Sequence, residues 1–103
     1  EEAIPPSKYH NAQTEAKGMM FQSGREASGV AGLIALEGLH HIFALRLQVS
    51  FPLPGKVVYR ADAVYLDKQL KPHVVDFKGF ATKEYKIKKR LFKETYGTEI
   101  EEM

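Results

Sequence analysis

The sequence predicts a mixed α/β fold: one helix, three mostly antiparallel strands, a second helix and a final strand, arranged as a mixed sheet flanked by helices. Three observations predict it. Residues 24–37 and 83–96 repeat their apolar side chains at helical spacing. Residues 44–77 are rich in β-branched and aromatic side chains, with breaks at 52–55 and 67–71. The segment T-E-I-E-E at 98–102 follows the second helix and reads as a strand returning parallel to residues 73–77 through a right-handed crossover.

At 103 residues the chain has the length of one compact domain. Hydrophobic residues make up 44% of it, enough for a core, though stability is modest at this length. The lack of Cys excludes disulfides and Cys-ligated zinc and fits a reducing compartment. No apolar run approaches ~18 residues, so no membrane span is expected. The net charge of +2 is too small to argue for a nucleic-acid partner, and the distribution of charge matters more.

Residues 1–18 are polar, carry Pro5-Pro6 and show little periodicity, so an extended N-terminal arm is expected ahead of a single domain over 19–103. Lys8, Tyr9 and His10 are the arm residues that could touch a partner. Met19-Met20-Phe21 reads as a short strand or an apolar staple. Ser23-Gly24-Arg25-Glu26 has the form of a capping box. In the helix that follows, Ala27, Val30, Ala31 and Ile34 form one apolar face, with Glu26 on its rim and Gly38 as the stop. Capping alone explains Glu26, but its place on the rim leaves a second role open, as a carboxylate reaching toward the sheet. Gly29 and Gly32 lower helix propensity and permit close packing. Residues 44–51 read as a strand and 52–55 as a turn.

The hairpin over residues 57–77 carries the chemistry. Folded symmetrically about Gln69, it sets Leu66 opposite Pro72, Val64 opposite Val74 and Asp62 opposite Asp76. Side chains alternate along a strand, so Asp62, Asp76 and Lys78 share a face with Val58, Val64, Leu66 and Val74. Opposed Cβ atoms lie ~4.5–5.5 Å apart, where like charges destabilise. The two carboxylates call for a compensating cation, and a hard divalent ion such as Mg²⁺ takes oxygen ligands.

Thr82 is placed to cap the second helix and Gly97 to end it. Lys83, Lys86, Lys89, Arg90 and Lys93 fall within an arc of roughly 120° with no acid among them. Such an arc is either a solvated face or a phosphate-binding surface. Lys88 sits on the opposite, apolar arc beside Leu91 and Phe92, where it either snorkels outward or points its amine at a buried anion.

The element order, with Asp62, thirteen residues, then Asp76-Phe77-Lys78, resembles the PD-(D/E)XK nuclease superfamily and its restriction-endonuclease-like α-β-β-β-α-β core. The runs F-Q-S-G-R-E-A, L-Q-V-S-F, Y-R-A-D-A-V-Y, V-V-D-F-K-G, Y-K-I-K-K-R-L-F and Y-G-T-E-I resemble a small family encoded in bacteriophages and prophages. That family is similar, at superfamily level, to Holliday-junction resolvases and to the endonuclease subunit of some transposases. The resemblance implies Asp62, Asp76, the Phe77 carbonyl and Glu26 as ligands of Mg²⁺, or of Mn²⁺ in its place. It further implies Lys78 and Lys88 as catalytic residues beside the acids, and the basic arc as a DNA contact. A phage-encoded endonuclease in the cytoplasm of a bacterial host, acting as a homodimer on DNA, is the expected function. A non-catalytic DNA-binding accessory protein on the same fold is the alternative, and a purely structural domain a third. Two departures from the superfamily pattern stand out: Ala61 precedes Asp62 where Pro is common, and Asp76 stands where Glu is commoner.

Overall fold

A computed structural model describes residues 14–16, 19–21, 24–77 and 81–103. The elements are β1 (Thr14–Ala16), β2 (Met19–Phe21), α1 (Gly24–Gly38), β3 (Phe43–Leu53), β4 (Val57–Leu66), β5 (Pro72–Asp76), α2 (Lys83–Tyr96) and β6 (Ile100–Glu102). The fold is α/β with a mixed four-stranded sheet of order β3-β4-β5-β6 and two helices. Strands β3, β4 and β5 are antiparallel neighbours, and β6 runs parallel to β5 with Asp76 beside Glu102. The order and the parallel last strand match the sequence expectation.

Several local features differ from the sequence reading for identifiable reasons. Thr14–Ala16, inside the stretch expected as an arm, pairs antiparallel with Met19–Phe21. Lys8, Tyr9 and His10 lie outside the described residues. Helix α1 ends at Gly38 as expected, but the left-handed residue after it is His40 (φ 62°), and the His41 N–H donates to the Leu36 carbonyl at 2.9 Å. Strand β3 continues through Pro52 and Leu53, where a turn was expected. It is an edge strand of its sheet, the place where Pro is tolerated in a strand. The turn is Pro54-Gly55-Lys56, with φ of 81° at Gly55 and 60° at Lys56.

Two cores lie on the two faces of the sheet. Ala27, Val30 and Leu33 of α1 pack on Leu45, Ala63, Val75 and Phe77. Ala31, expected on that face, is exposed, and Leu33 takes its place. Tyr85 and Phe92 of α2 pack on Leu53, Tyr59, Ala61, Val74 and Ile100. Here Phe51, Tyr59, Phe92 and Tyr96 form a chain of mostly edge-on ring contacts, with centroids 5.0–6.5 Å apart. Ile87, expected on the apolar arc of α2, is exposed. Helix α2 is capped as its sequence predicts: the Tyr85 N–H donates to the Thr82 hydroxyl at 3.1 Å, and Gly97 takes φ 71°.

Candidate functional site

Strands β4 and β5 pair with Leu66 opposite Pro72 and Val64 opposite Val74, the register expected from the hairpin. Ladder pairing ends at Ala63 opposite Val75, so Asp62 and Asp76 are the first residues past the last pair. On its other side β4 also loses its partner at Asp62. The β3–β4 ladder holds at Leu47–Ala63 and Val49–Ala61 but skips Gln48, which has φ 55°. At this gap the alternation of faces changes phase. Tyr59 and Ala61 pack beneath α2, whereas Ala63 packs beneath α1.

The single face expected for Asp62, Asp76, Val58 and Val64 is therefore not what forms. Val58 is exposed, and Val64 and Val74 lie on the α2 side. Asp62 and Asp76 lie where β4 and β5 part, just past the last ladder pair. Left-handed backbone at a non-glycine residue is a feature seldom read from sequence, and it explains the shift.

Each acid is held by a specific donor. Glu26, in the first turn of α1 and 8% exposed, accepts from Gln48 Nε2 at 2.7 Å. Asp62 accepts from the Phe77 amide at 2.8 Å. Asp76, 3% exposed, accepts from the Tyr59 hydroxyl at 2.7 Å. Burial, and then the charge and hydrogen-bonding reach of Asp62, push Glu26 up from 4.5 to about 7, with Asp76 adding to the effect. Glu26 thus feels both aspartates. Burial and the Asp76 carboxylate drive the Tyr59 hydroxyl far above its ordinary range, so it acts only as a donor.

The donor set is all oxygen, which suits a hard divalent ion. Among the described residues, no three His, Cys, Asp or Glu side chains are grouped closely enough to hold a metal between them. Mg²⁺ keeps several waters and is bound through one or two carboxylates, so the residues fit a hydrated ion and not a closed protein cage.

The other expected site residues divide. Lys78 lies outside the described residues. Phe77 enters through its N–H, and its carbonyl leads into segment 78–80, also outside them. Ser23, the other half of the expected capping box, is outside them as well. Lys88 is half-buried and its ammonium lies 3.4 Å from Glu84 one helical turn away. On the basic arc, Lys89 pairs with Glu102 at 2.8 Å and Lys93 with Glu99 at 2.6 Å. The arc has no acid within α2, but β6 brings two to it. Among the described residues, no acidic partner lies within ion-pair distance of Lys83, Lys86 or Arg90.

Gln48, Tyr59 and Tyr85 belong to this region and were not singled out by sequence reasoning. Tyr59 and Tyr85 carried one usable signal: a phenol placed in a core needs a partner for its hydroxyl. Gln48 carried none, because its role depends on the left-handed backbone.

A family model described as "Protein of unknown function (DUF1064)" matches residues 6–101. The chain belongs to the DUF1064 family. No curated protein and no solved structure matches it. In this DUF1064 protein the matched span includes Glu26, Asp62, Asp76, both helices and most of β6. Among the described residues, no helix is long and apolar enough to cross a membrane.

Proposed function

We propose that this DUF1064 protein is a Mg²⁺-dependent DNA endonuclease of the PD-(D/E)XK type, with Mn²⁺ able to substitute. The single observation that supports the reading is that Glu26 feels both Asp62 and Asp76, with each of the three acids held by a donor of its own. Asp62 and Asp76 would hold the ion, with Glu26 completing the set. A divalent ion bound there supplies Lewis-acid polarisation of the scissile phosphate and a lowered pKa for the attacking water. Tyr59 and the Phe77 amide fix the two aspartates, so their oxygens need not reorganise when substrate arrives. Glu26, with its pKa near 7, can take up a proton at the site close to neutrality. Lys78, next after Phe77 in sequence, would offset negative charge on the phosphate. The basic arc of α2 would hold backbone phosphates without reading bases. Cutting both strands of a duplex would call for a symmetric pair of subunits. A phage or prophage protein working in the cytoplasm of its bacterial host, in DNA recombination, repair or processing, suits this chemistry.

The test is incubation with labelled linear, flapped and four-way-junction DNA, in Mg²⁺ or in EDTA, with Asp76→Asn alongside. Mg²⁺-dependent product that disappears in Asp76→Asn is the expected result. A second reading, a non-catalytic DNA-binding accessory protein, is favoured by the absence of a three-carboxylate grouping among the described residues. It predicts no product with any substrate and unchanged or tighter DNA binding by Asp76→Asn.

A further inference from the structure

The groove between α2 and β6 has both signs of charge in it. It is an open concavity of about 430 Å³ lined by Lys86, Lys89, Arg90 and Lys93 from the helix and by Glu99 and Glu102 from the strand side. Glu102 accepts from Lys89 Nζ at 2.8 Å and from the Tyr85 hydroxyl at 3.0 Å. Glu99 accepts from Lys93 Nζ at 2.6 Å. An ammonium with a phenolic or second cationic donor beside it is the set of partners a phosphate oxygen takes. In this structure, carboxylate oxygens take those positions.

The groove lies one strand away from Asp76. Glu102 lies beside Asp76 in the parallel β5–β6 ladder, and neighbouring strands are ~4.8 Å apart. Side chains of paired residues in a parallel ladder share a face, so both reach toward α2. Tyr85 bridges the two places: its hydroxyl donates to Glu102, and the charge of Asp76 reaches it. A nucleic-acid strand with one phosphate at Asp76 would lay a neighbouring phosphate along this groove.

We propose that the α2–β6 groove is a phosphate subsite for a nucleic-acid backbone, and that Glu99 and Glu102 fill it as intramolecular phosphate mimics in the free protein. A strand entering the groove must displace both carboxylates from Lys93, Lys89 and Tyr85. The two acids therefore hold down affinity for any polyanion and favour strands that also engage the neighbouring carboxylate site. The inference deepens the endonuclease reading and rests on it for the identity of the ligand. Its test reads binding alone.

The experiment measures binding of labelled single-stranded and duplex DNA in EDTA, across a salt series, for the wild-type chain, Glu102→Gln and Glu99→Gln/Glu102→Gln. Glu94→Gln, an exposed acid of α2 outside the groove, controls for net charge. Freeing Lys89 and Lys93 for phosphate should steepen the slope of log K against log salt by about 0.9 for each further duplex phosphate neutralised, so by about 1–2 in the double variant. Affinity should rise by about tenfold or more at low salt, beyond any rise in Glu94→Gln. Lys89→Ala should then cost much more affinity in the Glu102→Gln background than in the wild type, because only there is the ammonium free. Inorganic phosphate should compete weakly, since it engages one cation cluster at a time.

Equal increases for Glu94→Gln and Glu102→Gln, or no extra cost of Lys89→Ala in the Glu102→Gln background, overturn the proposal. Competition by inorganic phosphate as strong as that by DNA overturns the nucleic-acid assignment. Should the double variant fail to fold, Glu102→Gln alone, checked by its melting curve, decides the matter by the same slope and coupling. Because EDTA removes catalysis, loss of the endonuclease reading leaves these outcomes intact. Cleavage that persists without the tighter binding sinks only the groove.

Discussion

The Phe77 ring occupies the space where a side chain on Gly29 would begin: a Cβ at Gly29 would stand 2.2 Å from Phe77 Cε1. Helix α1 is thereby allowed to lie directly on the residue whose amide holds Asp62, and the same helix carries Glu26. Gly29→Ala must push the helix or the ring away, at a cost of about 1–3 kcal/mol for overpacking. Gly32, with nothing within 4 Å of its would-be Cβ, is the control. Gly32→Ala should stabilise the helix by about 0.5–1 kcal/mol. Denaturant melts of the two variants check this, and equal effects would show that the ring yields freely.

Glu26→Gln should raise stability and lower activity together. Glu26 titrates near 7 when folded and at 4.5 when free, so the folded state keeps a proton that the unfolded chain loses. Its contribution to stability is therefore greatest below pH 4.5 and falls as pH rises through about 7. The neutral amide removes that loss. The variant should melt higher than the wild type at alkaline pH and match it more closely in acid, while Mg²⁺-dependent cleavage collapses. A lower melting temperature at every pH would mean that Glu26 is a structural cap.

The element order was legible because its signals are local. Thr82 and Gly97 bracket α2, and the break at residues 67–71 fixes the hairpin register from Leu66 opposite Pro72 to Ala63 opposite Val75. The parallel β6 followed from the order of those elements. What could not be read was the site's exact shape. It depends on Gln48 entering left-handed backbone, which turns Asp62 out of strict alternation and brings Gln48 to Glu26. Nor could the wheel of α2 show that Glu99 and Glu102 would neutralise two of its lysines, because that contact spans separate elements.

Removing the Tyr59 hydroxyl should act on Asp76 and little else. Tyr59→Phe keeps the ring contacts with Phe51 and Phe92, but leaves a buried carboxylate short of one donor. Hydrogen bonds to charged groups are worth about 1.5–3 kcal/mol. A bound cation can replace that donor, so Mg²⁺ should raise the melting temperature of Tyr59→Phe more than that of the wild type. Identical Mg²⁺ shifts in the two proteins would place the ion away from Asp76.

His73 should make stability fall with rising pH. Its two ring nitrogens face Asp67 Oδ2 at 2.8 Å and the Glu101 carboxylate, and Tyr65 stacks on the ring at 4.8 Å. Asp67 first, and Glu101 with it, raise the imidazole above its ordinary 6.5 against the opposing effect of burial. A raised base stabilises fully below its unfolded pKa and loses that contribution as pH climbs through the folded value. Melting temperature should thus decline from about pH 6.5 upward. His73→Gln should flatten the decline, and a decline of unchanged size would assign it elsewhere.

Lys88 and Lys86 lie two residues apart on α2 and should fail in different ways. Lys86 lines the groove with no acid of the described residues in ion-pair range, so it is free to bind phosphate. Lys86→Ala should weaken DNA binding and lower the salt slope by about 0.9, with turnover at saturating DNA little changed. Lys88 is half-buried and pairs with Glu84 along the helix, a contact worth about 0.3–0.5 kcal/mol. If its amine leaves Glu84 to act at the carboxylate site, Lys88→Ala should bind DNA normally and cleave slowly. Glu84→Ala, which frees the amine, should then cleave at least as fast as the wild type. Equal losses of affinity and rate in Lys88→Ala and Lys86→Ala would make the helix a uniform basic surface. Slow cleavage by Glu84→Ala would show instead that Lys88 works as half of a helix-stiffening pair.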